Sequence, residues 1–199
     1  GTHFSTVIQA LRLGLTSVMS DGSILPLDEN IRTTCEIVRI AQEYGASVEA
    51  ELGHVVTPDL EGEGDASFYT RPEEAKQFVA ETGVDALAVA FGTAHGMYRR
   101  EPKLDFNRLQ AIKDSVGIPL VMHGGSGLTD DDYQKAIARG VNKINYYSYM
   151  SQDVAEHLKK RLNATQGHLF YHDMMLWAME KVSEHIAEKI RLFGASGRA

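Results

Sequence analysis

The chain has 199 residues, 43% of them hydrophobic and 24% charged, with a formal net charge of −7. This length suffices for a sizeable hydrophobic core, and the composition is that of an ordinary globular protein. The negative charge and the lack of a Lys/Arg cluster argue against nucleic acid as a partner. The longest apolar runs are far shorter than the roughly 20 residues of a membrane span. With one cysteine and no leader of basic then apolar residues opening the sequence, we expect a cytoplasmic protein.

Helical and strand patterns alternate regularly along the chain. Apolar residues recur every three to four positions in the helical segments, whereas short apolar or alternating runs mark the strands. The predicted helices cover 4–13, 28–44, a third from the signal at 70–73 to a stop at Gly83, 105–116, 129–139, 152–162 and 171–193. The predicted strands start near residues 16, 47, 86, 118 and 142. This alternation indicates parallel strands with helices outside. Since no linker divides the chain, residues 1–199 are predicted to form a single domain.

Local signals mark several boundaries. Thr70 to Glu73 fits a capping box with proline in the first turn of the third helix, and Thr129, followed by three aspartates, begins the fifth. Residues 54–69 are predicted to form a long polar loop. The last helix carries an apolar stripe that we expect to pack on the domain, with a subunit interface as the alternative. The stripe consists of Met175, Met179, Val182, Ile186, Ile190 and Phe193.

Five strand–helix units fit either an open doubly wound sheet or part of a (β/α)8 barrel. Candidate polar residues follow all five predicted strands at their carboxyl ends, which is where a barrel collects its site. An open sheet concentrates its site at one switch point instead. The predicted fold is therefore α/β, a (β/α)8 TIM barrel.

Two apolar runs end in His-Gly: ALAVAFGTAHG, which contains His95, and IPLVMHGGSG, which contains His123. Neighbouring parallel strands lie about 4.8 Å apart, so imidazoles at their carboxyl ends can converge on one Zn²⁺. The alternative is that both histidines only bond backbone groups at the strand ends. The repeated His-Gly favours metal binding.

A catalytic zinc usually has three protein ligands, and the third is not evident from the pattern. His3 and His54 are possible ligands, but they fall at a helix start and in a loop. Asp21 and Glu51 end their predicted strands on the same rim as the histidines. They could be metal ligands, partners of ligands, or carboxylates in an ordinary hydrogen-bond network.

A second group of residues has the pattern of an anion site. Glycines allow successive backbone N–H groups to approach an anion, and the loops after the last two strands of a barrel often hold phosphate. The alternative is a tight turn without a ligand, with the tyrosines as packing residues. The candidates are Gly124, Gly125 and Ser126 before one helix, and Asn145, Tyr146, Tyr147 and Ser148 after the last strand.

The motifs SVMSDGS with LPLDEN, SVEAELG, TGVDALAVAFGTAHGMY, PKLDF, PLVMHGGSG and KIN occur in this order. Over nearly the whole chain they resemble the class II, metal-dependent ketose-bisphosphate aldolases, which cleave fructose or tagatose bisphosphate. The resemblance implies that His95 and His123 bind the catalytic zinc. Asp21 and Glu51 would match secondary or alternative metal positions, leaving room for a second divalent or a monovalent cation. The resemblance further implies that dihydroxyacetone phosphate binds to Gly96, Gly124–Ser126 and Asn145–Ser148.

The sequence departs from the family pattern in three places. In the family, a strand ending in His-x-Asp-His precedes the segment matching Gly1 and supplies the proton-donor aspartate and the third zinc ligand. We therefore expect this chain to supply roughly strands 4 to 8 and the C-terminal helices, with strands 1 to 3 in a preceding segment or another chain. The usual Gly-Gly-x-Glu-Asp loop is replaced by residues 54–69, whose acids include Asp59, Glu61 and Glu63, and Asn145-Tyr-Tyr-Ser replaces Asn-x-x-Thr.

The predicted reaction is zinc-assisted, reversible aldol cleavage of a ketose bisphosphate to dihydroxyacetone phosphate and an aldehyde phosphate. Such a lyase belongs to carbohydrate metabolism, including glycolysis, and we expect a homodimer or homotetramer. The catalytic proton donor is not identified in this chain. The alternatives are an aldolase of the same family acting on another phosphorylated sugar and a non-catalytic barrel that binds phosphate or metal.

Overall fold

A computed structural model describes residues 4–55 and 66–198 of the protein. Within them, helices and strands alternate in the predicted order, and a short 3-10 helix covers Ala66–Phe68. The helices are α1 (Phe4–Arg12), α2 (Leu27–Glu43), α3 (Pro72–Thr82), α4 (Phe106–Ser115), α5 (Asp130–Ala138), α6 (Ser148–Ala164) and α7 (Tyr171–Leu192), and the strands are β1 (Ser17–Ser20), β2 (Ser47–Leu52), β3 (Ala86–Val89), β4 (Leu120–Met122) and β5 (Val141–Ile144).

The five strands form one parallel sheet in the order β1-β2-β3-β4-β5. Each strand therefore pairs with the next one in the sequence, as in a barrel, whereas a doubly wound sheet reverses its direction at a switch point. The sequential order of these parallel strands agrees with the predicted barrel, and the sheet is part of a (β/α)8 barrel. The register is irregular between Leu120 and Val121, where β4 pairs with β5.

The core lies between the sheet and helices α1 to α5. Large apolar side chains such as Phe78, Leu109 and Ile112 are fully buried there. Strand β2 is buried on both faces after its first residue. Its apolar residues join the core, whereas Glu49 and Glu51 alternate with them and face the other side.

The two helix starts predicted from local signals differ in outcome. The predicted capping box at Thr70 is wrong, because α3 has Arg71 as its N-cap residue, without a side-chain cap. The Thr70 hydroxyl instead donates to the Leu52 carbonyl and accepts from the Ala90 N–H at 2.8 Å, which ties β2 to the end of β3. At Thr129 the capping box of α5 is present.

Helices α6 and α7 form an antiparallel pair linked by the ion pairs Arg161–Glu180 and Lys181–Asp153. Neither helix has a buried residue. The prediction that the α7 stripe packs on the domain holds only at its end, where the Phe193 ring lies 5.0 Å from that of Tyr133. Farther back the stripe is exposed, with Met179 at 64%. No helix in the described part of the chain is long and apolar enough to cross a membrane.

Candidate active site

The loops that follow β3 and β4 bring His95 and His123 together. Their ring centroids are 5.8 Å apart and the ring planes are inclined by 51°, so the predicted proximity is observed. The strand boundary differs from the prediction, because β3 ends at Val89 and His95 lies in the loop beyond it. The two loops touch directly: a Cβ built on Gly124 would lie 2.5 Å from the Ala94 carbonyl oxygen. Backbone contact next to each histidine thus sets the distance between the rings.

The buried His123 ring lies between two carboxylates of strand β2. Its Nε2 is 2.8 Å from Glu49 Oε1, and its Nδ1 is 2.9 Å from Glu51 Oε2. Glu49 also contacts Lys143 of β5, whose Nζ lies 3.0 Å from the second carboxylate oxygen. Both ring nitrogens therefore donate to carboxylates in this arrangement.

These contacts decide the charge of the group. Burial by itself would lower the pKa of His123, but the hydrogen bonds to Glu49 and Glu51 outweigh it and raise this pKa to about 9. Burial would raise the pKa of Glu49, yet its hydrogen bonds with His123 and Lys143 leave that pKa lowered. In the absence of a metal, an imidazolium thus lies between two carboxylates.

Glu49 and Lys143 were not among the predicted site residues. The alternation of SVEAEL did contain a signal, because residues two apart on a strand share a face, so Glu49 accompanies Glu51. Lys143 could not be found in the same way. It carries an exposed side chain on a short strand, and its role depends on the pairing of β4 with β5, which brings it toward β2.

The other candidate ligands within the described residues, Asp21 and His54, form no metal-binding group with the histidines. Asp21 accepts hydrogen bonds from Ser23, at 2.8 Å from its hydroxyl and 3.3 Å from its N–H, which is the ordinary local arrangement. His54 packs edge-on against Phe68, and its Nδ1 is buried without a partner among the described residues. His3 lies outside the described residues, as do Asp59, Glu61 and Glu63 of the atypical loop.

No three His, Cys, Asp or Glu side chains in residues 4–55 and 66–198 form a ready-made metal site. The donor set nevertheless fits a divalent cation such as zinc, which is bound by imidazole nitrogen and carboxylate oxygen. His95, His123 and Glu51 provide both kinds of donor, and the contact between His123 Nδ1 and Glu51 would have to yield to the ion. Glu49 would stay on Nε2, in the manner of a carboxylate that orients a ligating histidine.

A cavity of about 470 Å³ opens beside the histidines. Seven of the eight predicted substrate-binding residues line it; the exception is Gly125, which is buried next to Gly124 and Ser126 of the lining. The cavity is lined by His95, Gly96, Gly124, Ser126, Ile144, Asn145, Tyr146, Tyr147 and Ser148.

The hydroxyl of Ser126 connects the glycine-rich turn with helix α6. Its Oγ accepts hydrogen bonds from the N–H groups of Tyr147 at 2.7 Å and Ser148 at 3.1 Å. The helix therefore begins at Ser148, four residues before the predicted start, because its cap comes from a distant residue. Burial raises the pKa of Tyr146, whose ring is 5.5 Å from the Lys189 ammonium.

A parallel strand rim that carries imidazoles, carboxylates and a glycine-rich turn is the arrangement of an enzyme built on a barrel. The family model described as "Fructose-bisphosphate aldolase class-II" matches residues 1–198, and the chain belongs to this family. A curated fructose-bisphosphate aldolase from Staphylococcus aureus (strain Mu50) is 40% identical over the whole chain, which covers 70% of the relative's length. The Staphylococcus epidermidis (strain RP62A) aldolase is 39% identical with the same coverage.

A solved structure agrees with the sequence relatives. The crystal structure of the YdjI aldolase from Escherichia coli K12 is similar with a TM-score of 0.85 and 37% sequence identity. The similarity covers 100% of this chain and 69% of that chain. The predicted family is thereby confirmed, and an aldolase of carbohydrate metabolism follows from it.

Proposed function

We propose that this protein is a metal-dependent aldolase that reversibly cleaves a ketose bisphosphate of the fructose- or tagatose-1,6-bisphosphate type. The products would be dihydroxyacetone phosphate and an aldehyde phosphate. The observation that carries the proposal is the approach of the two histidine rings to 5.8 Å beside a cavity lined by the glycine-rich turn. A cation site and an anion site side by side suit a phosphorylated carbonyl substrate.

The proposed metal ligands are His95 and His123, with Glu51 and Asp21 as additional or alternative ligands for zinc, a second divalent ion or a monovalent cation. When bound, the cation would supply Lewis-acid stabilisation of the negative charge that develops as the carbon–carbon bond breaks. Glu49, held by Lys143, would keep the His123 ring in place. Within residues 4–55 and 66–198 we assign no proton-transferring group.

The proposed phosphate site consists of backbone and hydroxyl groups. Gly124, Gly125 and Ser126 would contribute N–H groups, and the start of α6 would contribute its own N–H groups and its positive end. The N–H groups of Tyr147 and Ser148, at the start of α6, now donate to Ser126 Oγ. A phosphate oxygen could replace this hydroxyl as their acceptor. Remote binding energy at the phosphate would then orient the reacting carbons.

A second candidate, an aldolase of the same family with another phosphorylated sugar as substrate, is favoured by the pocket wall. Tyr146 and Tyr147 form part of the lining, and no Lys or Arg is among the described lining residues. A sugar with one phosphate would not need a Lys or Arg in the lining to bind a second phosphate. Both candidates act in the carbohydrate metabolism of the cytoplasm, and fructose bisphosphate would make the reaction glycolytic.

We also propose a homodimer or homotetramer and a single folded domain for residues 1–199. The exposed apolar residues of α7, among them Leu176 at 57% and Met179 at 64%, support a subunit interface. Light scattering of the purified protein measures the mass directly, and a monomer at micromolar concentration would contradict the assembly.

Metal analysis of the purified full-length protein, combined with an assay of triose phosphate release from a panel of sugar phosphates, tests the function. We expect bound metal, loss of turnover with a chelator, and recovery on adding zinc. His123→Ala should lose both metal and turnover, whereas His172→Ala, which changes an exposed histidine of α7, should keep both. Turnover that survives in chelator-treated His123→Ala would contradict the metal-dependent mechanism, and a metal-binding protein without turnover would indicate a non-catalytic barrel.

A further inference from the structure

Two tyrosine hydroxyls hold the glycine-rich turn after β4. The Tyr98 hydroxyl donates to the Gly124 carbonyl at 2.7 Å, and the buried Tyr133 hydroxyl donates to the Gly125 carbonyl. Tyr98 comes from the loop after β3, and Tyr133 comes from helix α5. Two consecutive carbonyl groups are therefore fixed in direction from two different parts of the fold.

Fixing a carbonyl also fixes the N–H group of the next residue, because the two lie on opposite sides of a trans peptide plane. No cis peptide bond occurs in the described part of the chain. The Gly124 carbonyl thus determines the direction of the Gly125 N–H, and the Gly125 carbonyl determines that of the Ser126 N–H. Both residues are buried, yet neither N–H group has an acceptor in residues 4–55 and 66–198.

Buried backbone N–H groups without a partner are rare in folded proteins. Two in succession form a concavity that suits an anion, and Ser126 lines the cavity beside the histidines. The flanking glycines would allow these peptides to rotate, since glycine populates both signs of φ. Contacts from outside the turn must therefore hold the Gly125 and Ser126 N–H groups in one direction.

Tyr98 makes one more contact that bears on the histidines. Its hydroxyl oxygen accepts from the Ala94 N–H at 3.1 Å while its proton goes to Gly124. Ala94 directly precedes His95, and Gly124 directly follows His123. One hydroxyl thus joins the backbone beside both candidate metal ligands.

We propose that Tyr98 and Tyr133 are positioning residues that orient the Gly125 and Ser126 N–H groups toward the substrate phosphate. Tyr98 in addition sets the spacing of the two histidine loops. The inference rests on the proposed function for the phosphate site. Neither tyrosine lines the cavity beside the histidines, so each would act through the turn and not by contact with the substrate.

The test compares Tyr98→Phe and Tyr133→Phe with a matched control in the full-length protein. The control is Tyr69→Phe, which also removes a hydroxyl that donates to a backbone carbonyl, that of Lys103 at 3.2 Å. Inorganic phosphate is titrated by calorimetry, and the Gly125 and Ser126 amide signals are followed by NMR. Loss of one orienting hydrogen bond should weaken phosphate binding about 5-fold, whereas the control should bind as wild type does.

The kinetic readout should separate positioning from a general structural effect. For Tyr98→Phe we expect KM for the phosphorylated substrate to rise more than kcat falls, with the Gly125 amide shifting less on phosphate addition. Equal phosphate affinity in Tyr98→Phe and Tyr69→Phe would overturn the inference and leave the proposed function intact. Wild-type protein that binds no phosphate would overturn both. Should Tyr98→Phe fail to fold, wild-type Gly125 and Ser126 amides that do not respond to phosphate would overturn the inference.

Discussion

The contact between the two histidine loops predicts a specific penalty for Gly124→Ala. Gly124 has a φ of +63°, and its Cβ would lie 2.5 Å from the oxygen and 2.6 Å from the carbon of the Ala94 carbonyl. Gly45, which follows helix α2, has the same φ of +63° and nothing within 4 Å of its Cβ. The pair therefore separates backbone strain from steric conflict, since only Gly124 has both.

The expected magnitudes follow from these two causes. A left-handed alanine costs roughly 1–2 kcal/mol, so Gly45→Ala should lower the free energy of unfolding by about 1 kcal/mol. Gly124→Ala adds an overpacking cost of about 1–3 kcal/mol. The atoms of Ala94 that the new Cβ would meet belong to the backbone, so the whole loop must shift. We expect a total near 3 kcal/mol, together with weaker metal and phosphate binding, because the shift separates His95 from His123.

Urea unfolding of both variants without metal, at one pH and temperature, gives the two free energies directly. Metal affinity is then measured by competition with a chelator. If Gly45→Ala and Gly124→Ala lose equal stability, the close approach of the two loops does not exist in solution. If Gly124→Ala keeps the wild-type metal affinity, contact between the loops does not set the spacing of the histidines.

Three further predictions concern stability. In metal-free protein, the pKa of His123 is raised from 6.5 to about 9. The contribution of the protonated His123 to the free energy of unfolding is therefore complete below pH 6.5 and is lost as the pH rises through 9. The free energy of unfolding should therefore fall by up to about 3 kcal/mol over this range, and a flat profile equal to that of His123→Gln would contradict the ion pairs. Thr70→Val leaves the Leu52 carbonyl and the Ala90 N–H unpaired and should cost about 2 kcal/mol in urea unfolding; a loss below about 0.5 kcal/mol would show that water replaces the hydroxyl. Thr129→Ala removes the cap of α5 and should cost about 1 kcal/mol, with Thr129→Ser restoring most of it in thermal unfolding.

Local physical rules account for what could be predicted from the sequence. Apolar periodicity identified every α-helix and strand of the described residues in order, and β2 starts at Ser47, where its start was predicted. The cap at Thr129 was recognisable because all its partners lie within three residues. The proximity of His95 and His123 followed from topology alone, since consecutive parallel strands end on the same rim.

Contacts between distant segments account for what could not be predicted. The Ser126 hydroxyl caps a helix more than twenty residues away, and Thr70 bonds two strands instead of its own helix.

The amino-acid sequence by itself therefore determined the order of the elements, the parallel sheet and the residues at its carboxyl rim, because these depend on periodicity and on neighbours along the chain. Only the tertiary structure decided that His123 is held by Glu49 and Glu51, that Tyr98 joins the two histidine loops, and that most of the α7 stripe stays exposed. Each of these depends on which side chains meet across the sheet and on how each buried polar group finds a partner, and no local pattern contains that information.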